Sequence, residues 1–270
     1  MKAKVFFLSL ILLTTLLVSL YAFDWGGTID NATTLYALDG ANLDQRDKVS
    51  LWLGHQSKSS VELFTLASYT YSLEDPLLID IELLKLDFPI GEAVSATVGR
   101  FVVSEFTKMV LDHPLDGFRI AYNLPSAVIT LSAGYTGLLF KEPNLIRISR
   151  TDSSDIDLNN VYLAPPRLVE LIQVVFPELL RRQDMMVSLL AQQDLKPQTD
   201  VIAEGEENKV ISGLSGGRLH TFYLGLGLSG PFSAASSLYS DTYLYVGTGT
   251  TLSYIEDTAS ATGYSYQYKP

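Results

Sequence analysis

Residues 221–232, TFYLGLGLSGPF, place Phe222, Leu224, Leu226 and Leu228 on one parity and Tyr223, Gly225, Gly227 and Ser229 on the other. A period of two sustained over this length is a β-strand. Large aliphatics on one side and small residues on the other mean that one face meets something apolar while its reverse is crowded or wet. Gly225, Gly227 and Gly230 also have the spacing G-x-G-x-x-G. That fingerprint holds a pyrophosphate only where a strand ends at the first glycine and a helix opens at the third. Here the alternation runs straight through the supposed turn, so the glycines are expected to serve a strand and not a nucleotide.

The same period recurs along the chain. Val49, Leu51 and Leu53 oppose Ser50, Trp52 and Gly54, and Phe118, Ile120, Tyr122 and Leu124 oppose Arg119, Ala121 and Asn123. Strands are expected near 27–37, 47–56, 61–71, 78–88, 93–102, 117–124, 127–139, 167–176, 185–195, 217–232, 241–255 and 263–269. In EAVSATVGRF the alternation of Val94, Ala96 and Val98 against Ser95, Thr97 and Gly99 fails at Arg100, which implies a bulge at Gly99 or a rim position for Arg100. Residues 167–190 also show helical spacing at Leu168, Leu171, Ile172 and Val175. Two strands with Pro177 in the turn are the preferred reading, because a lone amphipathic helix would lack a partner surface.

Residues 1–22 have the layout of a secretory signal peptide: Lys2 and Lys4, an apolar run from Val5, and Ala22 before Asp24. An uncleaved anchor helix is the alternative. Either way the body, 23–270, is expected to be exported. No later segment has the apolar length of a membrane helix, so embedding would have to use strands. The chain has no cysteine, which excludes disulfides and thiolate metal sites. Its net charge of −11 argues against nucleic acid as a partner.

Short connectors such as SLEDP and LPSA contrast with the long polar stretches 147–166 and 195–213. Short turns on one side and long loops on the other is how an outer-membrane barrel is built. Strands of ten or so residues suit a tilted bilayer crossing, and Phe23, Trp25, Tyr69, Tyr71, Tyr239, Tyr243 and Tyr254 fall near strand ends, as interfacial aromatic girdles do.

The segments VGRF (98–101), LDGFRIAY (115–122) and SAGYTGLLFK (132–141), in that order, resemble bacterial outer-membrane β-barrel proteins, in particular porin-like barrels of the spirochaete type. The resemblance implies an all-β, antiparallel up-and-down transmembrane barrel in the outer membrane, with about twelve strands visible, acting as a passive channel for small solutes or ions. The terminal YSYQYKP departs from the aromatic last residue usual in such barrels, which points to an incomplete C-terminal end. By strand phase Ser95, Thr97, Arg119, Asn123, Ser132 and Thr136 are expected to face the lumen, and Phe222, Leu224, Leu226 and Leu228 the lipid. The long stretches are candidate constrictions. A non-conducting surface-binding barrel and an exported soluble β-sandwich stay open as alternatives.

Chemistry is sparse. GLSGG (213–217) matches G-x-S-x-G, with Ser215, His220 and Asp241 as an imaginable triad, but a strand follows where the nucleophile elbow needs a helix. His55, His113 and His220 lack metal-ligand spacing, and Asp152, Asp155 and Asp157 lack the rest of a calcium loop. No catalytic residue, cofactor or metal is expected.

Overall fold

The structure, a computed structural model, describes residues 23–36, 42–73, 78–141, 144, 148, 152, 162–180, 182–196, 218–231, 238–256 and 264–269. The expected leader lies outside these residues, as do 197–217 with Ser215, and Asp155 and Asp157 of the acidic stretch.

Twelve strands form one sheet: β1 (Asp24–Tyr36), β2 (Asn42–Gln56), β3 (Glu62–Ser72), β4 (Leu78–Ile90), β5 (Val94–Ser104), β6 (Asp112–Leu124), β7 (Ala127–Tyr135), β8 (Arg167–Leu180), β9 (Gln183–Asp194), β10 (Arg218–Pro231), β11 (Tyr239–Glu256) and β12 (Tyr264–Lys269). Strand order follows chain order, with β1 and β12 at its two ends. The expectation of an up-and-down antiparallel all-β wall holds, strand for strand.

Contacts divide the chain into two compact units. One is built on β1–β4 with Thr97–Arg100, the other on the rest of β5 with β6–β12. In the second unit the connectors 125–126, 181–182 and 232–238 join strands at one end, while 105–111, 136–166, 195–217 and 257–263 do so at the other. Antiparallel neighbours need only two residues to turn, so the long connectors serve something besides chain reversal.

Three local expectations change. Residues 167–190 are strands, as preferred over a helix, but the turn falls at 181–182 and Pro177 lies inside β8. The register with β9 shifts between Phe176 and Leu180, and Glu178 takes φ of +51°. An irregularity is where a residue without an N–H can sit in a ladder. The strand expected over 127–139 ends at Tyr135. There the Thr136 hydroxyl donates to the Pro165 carbonyl at 2.6 Å and accepts from the Arg167 N–H at 2.9 Å, diverting the chain into a tight turn. At the third place, the phase break before Arg100, Gly99 takes φ of +113°.

A Cβ on Gly99 would strike the Leu84 carbonyl, whereas one on Gly91, at φ +76°, would meet nothing within 4 Å. Gly99→Ala is therefore expected to cost roughly 2–4 kcal/mol of stability, against about 1 kcal/mol for Gly91→Ala, which carries backbone strain alone. Denaturant unfolding of the detergent-folded protein, followed by tryptophan fluorescence, measures both.

Candidate functional site

Registers across the second unit trace one row from β6 to β11: Ile120, Leu131, Ile172, Leu189, Leu224 and Val246. Every one is exposed, between 39% and 59% of its surface. Phe222 and Leu226, two residues either side of Leu224, are 43% and 40% exposed, and Leu228 is half-buried. The first unit repeats the arrangement, with Ile29, Val49, Tyr69 and Ile79 in one row.

The reverse face has the opposite character. In the first unit Thr28, Ser50, Ser68 and Asp80 form a row, of which Ser50, Ser68 and Asp80 are buried. Arg100 reaches Asp80 at 3.4 Å and donates to the Ile81 carbonyl at 2.7 Å. Lys48 pairs with Glu82, Lys85 pairs with Asp87 at 2.6 Å, and Thr97 donates to Asp87. Cations and anions thus alternate along one side of β2–β5, partly exposed at Lys48–Glu82 and Lys85–Asp87 and largely buried at Arg100–Asp80. Gly99 takes the positive φ, and Arg100 beside it reaches this side at Asp80; the sequence had left the place open between a bulge and a rim.

In the second unit the reverse face is filled. Phe101, Val103, Leu111, Leu115, Val169, Leu171 and Leu190 make a buried cluster. The connector 105–111 turns in over it and reaches β10 and β11. Phe106 stacks on Tyr245 with ring centroids 5.5 Å apart, and Tyr245 donates a hydrogen bond to Glu105. Glu105 also accepts from the backbone N–H of Thr107 at 2.7 Å and of Met109 at 2.6 Å. Burial pushes the Glu105 carboxyl up, but its hydrogen bonds from Thr107, Tyr245 and the backbone outweigh that and leave it below the usual glutamate value. The glycines of β10 make this seat. A Cβ on Gly225 would collide with Ser188 and Tyr245, and one on Gly227 would come within 2.7 Å of the Phe106 ring.

Buried ions close the end that carries the long connectors. Arg167 has no exposed surface; it meets Asp152 at 2.7 Å and Asp194 at 3.4 Å, and donates to the Leu219 carbonyl at 3.1 Å. Lys196 pairs with Asp152 at 2.6 Å. Asp152 belongs to the stretch expected to constrict a lumen, and here it is fastened to the sheet.

The six residues expected to face a lumen are dispersed among these environments. Ser95 and Asn123 are exposed beside short turns, and the Asn123 N–H donates to the Ala93 carbonyl at 2.8 Å. Thr97 belongs to the ion-paired face. Arg119 and Ser132 are brought together, 3.4 Å apart, with the guanidinium 4.8 Å from the Phe101 ring centroid. Ser132 and Thr136 are buried completely enough that neither lines open water. Tyr239 and Tyr243, placed in a girdle by sequence, oppose Pro231 and Gly227 and so share the face of Tyr245. The imagined triad does not form: His220 opposes Thr250 and Asp241 opposes Ser229, nearly the whole length of β10 apart. Sequence reasoning missed Glu105, Phe106 and Tyr245; the one signal available was an acidic and an aromatic residue inside a short connector.

No protein-family model and no curated protein matches the chain. Among solved structures it is similar to OprB of Pseudomonas putida, at 10% identity over 88% of this chain and 76% of that one, with a TM-score of 0.37. It is also similar to OccK2 (OpdF) of Pseudomonas aeruginosa, at 9% identity over 86% of this chain and 63% of that one, with a TM-score of 0.36. Likenesses this shallow decide nothing about function, which has to come from the two faces of the sheet.

Replacing Arg167 with Met leaves the Asp152 and Asp194 carboxylates buried together and is expected to cost about 3–5 kcal/mol. Denaturant titration reads this, with faster proteolysis within 136–166 as the local signature. Glu105 follows the sign of a depressed carboxyl. Its contribution is present in full above the unfolded glutamate value of about 4.3 and is lost as pH falls through the lower folded value. Quenching of tyrosine fluorescence near Tyr245 is expected to change across that acid range in the native chain and to lose the transition in Glu105→Gln.

Proposed function

We propose that the chain is an outer-membrane β-barrel of a bacterium, exported by the leader 1–22, in which 23–270 forms a porin-like wall for passive passage of small solutes or ions. The carrying observation is the exposed aliphatic row from Ile120 to Val246, on strands whose reverse face already carries its own buried cluster and buried ions. A soluble sandwich buries its aliphatic face against a second layer. Left in water, that single row forgoes on the order of 5–10 kcal/mol of apolar burial, comparable to the net stability of a whole domain. Hydrocarbon lipid covers it at no cost in hydrogen bonds, because the strand ladders already satisfy the backbone.

On this reading Phe222, Leu224, Leu226 and Leu228 face lipid. Thr97 and Arg119 face inward, and Ser95 and Asn123 lie at the mouth with the short turns. Closure of the sheet, by these strands or with more, belongs to the proposal, as does kinship with spirochaete barrels. The residues invite no catalytic assignment, and no cofactor is proposed.

The inward connector 105–111 favours a second reading, a barrel whose interior is shut. Bilayer conductance separates the two. A porin-like wall gives discrete conductance steps, and Phe106→Ala enlarges them by freeing the space over Gly227. A shut barrel is silent until the connector is shortened. Leu226→Arg, at mid-height of the apolar band, is expected to lower folding stability in lipid by about 2–4 kcal/mol. The corresponding loss at Thr250, which opposes His220 near the start of β10, should be under about 1 kcal/mol, as read by the heat-dependent mobility of the folded form.

A further inference from the structure

Beneath the inward connector lies a cavity of about 310 Å³, bounded by Phe106 and Thr107 of the connector, Met186 of β9, Gly227 and Ser229 of β10, and Tyr243 of β11, with Asp241 at its edge. Ser229 donates to Asp241 at 2.6 Å and lies 2.8 Å from the Tyr239 hydroxyl, which therefore donates to Ser229. Register places Asp184 opposite Ser229 on β9 and Asp241 opposite it on β11, so two carboxylates flank that serine in one cross-strand row. Asp241 is exposed and can be reached from solvent. Among the described residues no lysine, arginine or histidine lines the cavity.

We propose that this cavity binds a small organic monocation, an ammonium carried on a short apolar body. The volume sits at the lower end of the range for small-molecule sites, about 300–1,000 Å³. An anion would meet the Asp241 carboxylate with no counter-charge in the lining. A neutral apolar solute would cover the exposed Asp241 carboxylate and offer it no donor. An ammonium donates to that carboxylate while its carbon body lies against Met186 and the Phe106 and Tyr243 rings, whose faces attract positive charge. The inference rests on the channel reading only in taking this face as the wet one; it does not require conduction.

The test is isothermal titration of the detergent-folded chain with n-butylammonium, butyrate and butanol. Butylammonium is expected to bind at least about tenfold more tightly than the other two. Asp241→Asn should weaken it about tenfold and Phe106→Ala roughly threefold, with the heat-dependent mobility of each variant checking its fold. Should Asp241→Asn fail to fold, Phe106→Ala and the three-ligand comparison still decide. Equal binding of butyrate or butanol, or a native affinity in both variants, overturns the proposal. Bilayer conductance of the same samples keeps the two readings apart. A chain that conducts and ignores butylammonium refutes this site alone, whereas one that binds it and never conducts supports the site and refutes the channel.

Discussion

A β-sheet can leave one face uncovered by protein only if the surrounding medium tolerates that face, and everything distinctive here follows from which face is left. Among the described residues Ile120, Leu131, Ile172, Leu189, Leu224 and Val246 run side by side over six strands with no layer above them, while the reverse carries the cluster from Phe101 to Leu190 together with serines and a fully buried arginine. In water that row would be left wet although the sheet already has a core on its other side. In a bilayer lipid would take the aliphatic side, and strands paired along both edges would leave no backbone group unmet.

The two units treat their reverse faces differently. Along β2–β5 the pairs Lys48–Glu82 and Lys85–Asp87 keep both partners partly exposed, so water screens their charges, whereas Arg100–Asp80 is largely withdrawn from it. In the second unit an apolar cluster expels water, and one group of charges at its edge is wholly buried. Arg167, Asp152, Asp194 and Lys196 balance two cations against two anions, and burial of that kind is tolerable only with the additional hydrogen bonds they make to Leu219 and the surrounding backbone. Such a network specifies geometry more than it adds stability: it holds Asp152, in the middle of a long connector, to the start of β8.

What the sequence made legible was the ladder. Period two identified most of the strands, because two unlike environments on the two sides of a sheet impose alternation, and Leu224 and Arg119 could be assigned to opposite faces from parity alone. Tyr243 was misassigned because an aromatic near a strand end looks the same on either face until its partner, Gly227, is known. Pro177 looked like a turn because a proline's missing donor signals a break, and only the register shows the ladder already broken around it. The buried ions were not legible, since Arg167, Asp152 and Asp194 are brought together by register and not by spacing. Ser132 shares a row with Arg119 and Leu171, and Thr136 lies just past the end of β7; parity says nothing about what fills the side they were expected to face.

The connector 105–111 explains why the glycines of β10 stand where they do. On an open inner wall a side chain at 225 or 227 would cost nothing, and a β-branched residue would strengthen the strand. Instead Gly225 leaves room for Tyr245 and Ser188, and Gly227 leaves room for Phe106, so the spacing that imitates a nucleotide fingerprint is the imprint of a folded-in turn. A turn seated this way is fixed at Glu105, by Tyr245 and by its own backbone, and at Ser104, whose carbonyl accepts from Gln173 at 3.0 Å. It follows that free width inside this part of the sheet is set by how far Phe106 and Glu105 extend from β5 and β6, and counting strands would overestimate it. The glycines are thus evidence about the interior as much as about the strand, because they record what that interior has to hold.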